Sequence, residues 1–279
     1  MAICESDLYK TVNILADFAG MDTTKRLNHG LTSWCNYDDS GFLPYETFLG
    51  KMMNIFYGIV SSFSYMRLSI MQIKSGLPSQ CLEEGYTEYD FYRYHYILFS
   101  HSVTLLKDLL FKFTSEVYEL CRNKRMIQWV QLGKELNNNN LENVSSILEA
   151  FYKQFSNHIE KRNKFSHEGL LSYRSLDNYH MTYIWTQVNR YSRDNVNIYP
   201  QFTQGNEENN RLLKETKESF IDELKQLVAD AEYCTQNLFE ACSDKILSRI
   251  DYEFLKQYSE PLRNLQHSHL NNYLDKLGL

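Results

Sequence analysis

The chain has 279 residues, 43% of them hydrophobic and 23% charged, with 4 Pro and 11 Gly. This is globular composition with few chain breakers, enough for one large helical domain or two small ones. A net charge of −6 argues against a general duplex-DNA binder and confines any nucleic-acid contact to a local patch.

Ser6 or Asp7 caps a first helix that runs to about Phe18 and ends near Gly20. Residues 21–41 carry Asp, Thr, Asn and Gly and read as a loop, with Trp34 and Cys35 tucked against the bundle. Pro44 marks a helix start, and the stripe Phe48, Met52, Ile55, Phe56, Ile59, Phe63, Met66, Ile70, Ile73 carries that helix to about Ser75. Lys51 and Arg67 leave too short an uninterrupted apolar run for a membrane span, so this is a buried bundle helix.

The next helix is expected from about Glu88 to Cys121, on the stripe Tyr92, Tyr96, Phe99, Val103, Leu106, Leu110, Phe113, Val117. His95 and His101 are six residues apart on it and share no face, which makes them polar-face or core-edge residues. A shorter helix over about 125–136 carries Met126, Trp129, Val130 and Leu132, and Asn137 to Asn140 read as a polar connector. A long amphipathic helix follows over about 141–168.

Residues 169–207 differ in kind. Tyr179, Met181, Tyr183 and Trp185 alternate with His180, Thr182 and Ile184, which predicts a short strand or hairpin. Its aromatics, with Arg174, Arg190 and Arg193, can stack on single-stranded RNA or pack over the bundle end. A helix is then expected from about Glu207 to Cys242, and two short ones over 246–258 and 261–277, with Pro261 starting the last. The fold expected is all-α, in one domain: an N-terminal helix and loop over 1–41, core helices over 42–168, the insertion over 169–207 and C-terminal helices over 208–279.

Cys4, Cys35, Cys81, Cys121, Cys234 and Cys242 form no C-x-x-C pair and no zinc-spaced cluster. Scattered thiols, with no basic start or apolar run at the N-terminus, point to the reducing cytoplasm. No P-loop, G-x-S-x-G or dinucleotide fingerprint is present.

The chemistry concentrates where the long helix ends, at Glu160-Lys161-Arg162-Asn163-Lys164-Phe165-Ser166-His167-Glu168-Gly169. The apolar stripe Leu148, Phe151, Phe155 continues onto His158, Arg162 and Phe165, so a guanidinium and an imidazole stand where the pattern asks for core. Asn163 and His167, four apart, share a face, whereas Arg162 and His167, five apart, are separated by about 140° around an ideal helix. Arg162 and His167 therefore converge only if the Arg wraps, the last turn distorts, or two chains contribute. The ordinary alternative is a dipole-stabilising His and a structural Arg. Local positive charge is densest here, in Lys153, His158, Lys161, Arg162, Lys164, His167 and Arg174. A second cluster, Arg122, Lys124 and Arg125, reads as a solvated face.

Arg162, the polar Asn163, three further residues and His167, at a helix end in an all-helical chain, resemble the signature of the HEPN superfamily. The resemblance covers 160–169 and extends over the helices from about 88 to 245. Some HEPN toxins carry a Tyr two places after the His, where this chain has Gly169. The resemblance implies a helical bundle and a metal-independent endoribonuclease, a toxin or antiviral effector, that uses no cofactor. It also implies a homodimer whose two motifs make one cleft, and an antitoxin or activating protein as a further partner. In that reading His167 is the general acid or base, Arg162 binds the scissile phosphate, and Asn163 orients His167 or the phosphate. Lys164, Arg174 and His158 would contact the RNA. The competing expectation is a non-enzymatic module in which Arg162 and His167 stabilise a dimer or partner interface.

Overall fold

The computed structural model describes residues 6–27, 42–121, 127–168, 173–194, 206–264 and 268–279. Among them the protein is all-α, with no strand. The helices are α1 (Asp7–Leu27), α2 (Pro44–Ser75), α3 (Ser79–Glu83), α4 (Glu88–Tyr118), α5 (Trp129–Asn138) and α6 (Glu142–Glu168). They continue as α7 (Arg174–Asp194), α8 (Asn206–Leu247), α9 (Tyr252–Gln257), α10 (Ser259–Arg263) and α11 (Ser268–Leu277). No helix among the described residues is long and apolar enough to cross a membrane.

The chain packs as two units. The first comprises residues 1–62, 105–154 and 231–279, and the second 63–104 and 155–230. In the first, the rings of Phe56, Phe113 and Phe239 meet edge-on or tilted with centroids 4.9–5.7 Å apart, and Tyr9 adds its edge to Phe56 at 5.6 Å. These geometries suit aromatic quadrupoles and fix one arrangement of the core. Gly58 on α2 lets the Leu109 side chain pack close, because a Cβ there would stand 2.9 Å from Leu109 Cδ1 and the leucine would have to shift.

The helix ends follow local chemistry. Ser6 Oγ accepts from Tyr9 N at 3.4 Å and starts α1. Helix α1 runs on through Gly20 instead of ending there. Its buried stripe continues over Ala19 and Thr23, and the Thr23 hydroxyl donates to the Ala19 carbonyl at 2.8 Å. That burial outweighs the roughly 1 kcal/mol a mid-helix glycine costs. Pro44 opens α2 as expected, and Gly76 closes it at φ 81°. Pro261 sits inside α10 rather than starting the last helix. Trp34, Cys35 and Met126 lie outside the described residues.

The expected strand near 179–185 is corrected to helix: α7 spans Arg174–Asp194. The buried positions are Leu176, Tyr179 and Thr186, with Tyr183 half-buried between them, a three-and-four step rather than a two-step. Thr182 and Thr186 donate back to the carbonyls of Asn178 and Thr182, each at 2.8 Å, which lets two β-branched residues sit in a helix.

Candidate functional site

The motif helix α6 enters the second unit at Phe155. Its apolar stripe stays fully buried through Leu148, Phe151 and Phe155, and His158 and Ile159 remain 5% exposed. The stripe then surfaces. Arg162 and Phe165 are half-buried, and Asn163 and Lys164 are exposed. The amphipathic pattern thus carries Arg162 to the boundary between core and solvent, where a cation keeps some hydration.

Arg162 is held by a residue that sequence spacing does not reveal. Its Nε donates to Nδ1 of His101 on α4 at 3.1 Å, and its Nη1 donates to Asn163 Oδ1 at 3.1 Å. His101 is thus a specific partner, 61 residues away. Burial first, and the Arg162 guanidinium second, hold its pKa below the ordinary imidazole value. Beside this pair, the Arg93 guanidinium lies 5.9 Å from the centre of the Phe165 ring.

His158 is placed apart from Arg162's surface, inside the unit. Its Nδ1 and the Tyr96 hydroxyl are 3.1 Å apart, and the Tyr173 ring lies 5.3 Å away. Burial, then the Lys161 charge, push its pKa down to about 4. A neutral, buried imidazole cannot grip an RNA phosphate, so His158 is a core residue where sequence reading expected a substrate contact.

The remaining expected cations divide. Lys153 pairs with Glu149 at 2.8 Å on the exposed face of α6. Lys161 lies over the Tyr173 ring at 4.6 Å, and burial lowers its pKa. Lys164 and Arg174 are exposed. The Tyr173 and Ser175 hydroxyls both donate to the Glu223 carboxylate, which ties the start of α7 to α8. His167 lies in the last turn of α6, and its side chain, like those of Arg190 and Arg193, falls outside the described residues. Arg122, Lys124 and Arg125 also fall outside them.

Among the described residues no group of three His, Cys, Asp or Glu side chains could hold a metal ion. A cavity of about 900 Å³ lies in the first unit, lined by Phe111, Trp129, Tyr152, Lys107, Lys112 and Arg249 among others, with no motif residue in its wall. Compared with family models, curated proteins and solved structures, the chain matches none.

Proposed function

We propose that the protein is a HEPN-like, metal-independent endoribonuclease acting as a homodimer, with Arg162 and His167 of each chain facing one RNA phosphate. The observation that carries this reading is the mounting of Arg162. A half-buried guanidinium, fixed at Nε and Nη1 at the end of a helix, is suited to grip a phosphate. Imidazole in general titrates near neutrality, which suits His167 to pass protons to and from the 2′-hydroxyl and the leaving oxygen. Two facing copies supply an acid, a base and two cations, so one motif per chain is sufficient. Asn163 supports the guanidinium, and the exposed Lys164 and Arg174 would hold the flanking backbone. Cleavage would leave a 2′,3′-cyclic phosphate and a 5′-hydroxyl.

The test is RNA cleavage by the purified chain in the presence of chelator, beside Arg162→Ala and His167→Ala, with mass from light scattering. A dimer that cleaves, with cleavage lost in both variants, is the expected result. Unchanged cleavage in His167→Ala would refute the reading.

One observation favours a non-enzymatic partner-binding module instead. In the second unit Tyr65, Leu68 and Met71 on α2, and Tyr94 and Leu98 on α4, are all exposed. An intact dimer that cleaves no RNA would favour that module.

A further inference from the structure

An arginine that clamps a phosphate must be aimed. Its side chain has many rotamers in solution, and a misplaced fork loses its bidentate geometry. In this protein Nε of Arg162 donates to His101 Nδ1, and Nη1 donates to Asn163 Oδ1, both at 3.1 Å. The Asn163 contact is local to α6, whereas the His101 contact ties the guanidinium to α4. Its direction is thereby set by two helices.

The chemistry of this contact fixes a protonation state. Arginine Nε keeps its proton at all physiological pH and can only donate. Nδ1 of His101 must therefore hold a lone pair, and the ring proton sits on Nε2. We propose that His101 is a positioning residue, whose neutral imidazole aims the Arg162 guanidinium through Nδ1 at a phosphate of the RNA strand. The rate part of this proposal rests on the nuclease reading above; the hydrogen bond itself does not.

His101 touches no substrate in this scheme. Its half-buried setting on α4 favours the neutral ring, and Arg162 is the charged group acting on it. Protonation would delete the acceptor and set imidazolium against guanidinium. The pair would then break and the guanidinium would lose its second anchor.

The test uses the full chain and three variants. His101→Asn places its amide oxygen where Nδ1 stood. His101→Gln reaches instead towards the Nε2 position, and His101→Leu removes the polar group. RNA cleavage would be followed as kcat and KM from about pH 5 to pH 8, with chelator present. In parallel, exchange of the Arg162 Nε proton would be read by nitrogen–proton NMR, assigned by its absence in Arg162→Lys.

His101→Leu and His101→Gln are expected to lose kcat by roughly 10- to 100-fold, with His101→Asn regaining most of it. Part of the acid limb of the wild-type profile should be missing in His101→Asn. The Arg162 Nε proton should exchange slowly in wild type and in His101→Asn, and fast in His101→Leu. Equal losses in all three variants, or none, would overturn the proposal. If the wild type cleaves no RNA, the nuclease reading falls and the NMR arm decides. Slow exchange abolished by His101→Leu sustains the positioning contact, and fast exchange in the wild type overturns it.

Discussion

Nδ1 of His158 and the hydroxyl of Tyr96 stand 3.1 Å apart inside the second unit, with the Tyr173 ring stacked on that of Tyr96 at 4.4 Å. A polar pair is thus enclosed by aromatic rings, where each member satisfies the other.

Stability should fall in mild acid because His158 is buried, with the Lys161 charge nearby. The His158 pKa is about 4 in the folded chain against an ordinary 6.5. The unfolded state therefore binds more protons between these values. The contribution is fully present above the unfolded pKa, declines as pH falls through the window, and is gone below about pH 4. The shift corresponds to about 3 kcal/mol of unfolding free energy. Urea unfolding at pH 7 and at pH 4.5 is the measurement. The acid loss should be clearly smaller in His158→Phe than in wild type; equal losses would assign the acid sensitivity elsewhere.

Tyr96→Phe and Tyr173→Phe should differ although each removes one hydroxyl. The first leaves a buried imidazole nitrogen without its partner, at a cost of about 1–3 kcal/mol. The second frees Glu223, which is exposed and can take water instead, so it should cost about 1 kcal/mol or less. Thermal or denaturant unfolding of both variants ranks them, and the reverse order would contradict the burial argument.

Most of the helices are legible in the sequence because each buries a continuous stripe at three-and-four spacing. Pro44, Gly76 and the stripe from Phe48 to Ile73 place α2 at Pro44–Ser75 without tertiary help. Helix α7 reads as a strand because the large residues Tyr179, Met181, Tyr183 and Trp185 fall at every second position while its buried set, Leu176, Tyr179 and Thr186, falls at helical steps. Composition shows the first pattern, and only packing selects the second. At the motif, the break in the core pattern at His158 and Arg162 is visible in the sequence, but its two halves have different meanings. His158 finds a tyrosine in the core and Arg162 finds His101 at its edge. Both partners lie on α4, about sixty residues away, and no local spacing encodes them.

The asparagine run closes α5 by a specific backbone turn. Leu141 N donates to the Leu136 carbonyl at 3.0 Å and Asn140 N to the Asn137 carbonyl at 3.2 Å, with Asn140 at φ 56°. That is the Schellman pattern, which needs a left-handed residue at Asn140. Asn140→Gly should change stability by less than about 0.5 kcal/mol, whereas Asn140→Ala should cost about 1 kcal/mol. Equal stability of the two variants in urea unfolding would remove the turn from consideration.

Arg249 performs a comparable task for α4. Its guanidinium lies 3.9 Å from the centre of the Phe48 ring, Nη1 donates to the Glu116 carbonyl, and Nη2 reaches Glu119 at 3.2 Å. It thereby satisfies a carbonyl in the last turn of α4, just before Glu119 adopts φ 58°. Lysine keeps the charge but not the planar fork. Arg249→Lys should therefore destabilise by about 1–2 kcal/mol, read as a lower urea midpoint. A midpoint unchanged from wild type would reduce the contact to surface electrostatics.

A nuclease whose site is shared by two chains should depend on concentration, with no mutation needed to see it. If the cleft takes one motif from each of two chains, an isolated chain holds half a site. Specific activity should then fall on dilution, in step with the dimer fraction from light scattering or sedimentation at the same concentrations. Well below the dissociation constant the total rate should rise as the square of protein concentration, because the active species is the dimer. Metal chelator should leave the curve unmoved, since the proposed chemistry uses imidazole and guanidinium alone. Activity strictly proportional to protein while the mass drops to that of a monomer would place a complete site on one chain. Arg162 and His167 would then have to meet across the roughly 140° that separates them on α6.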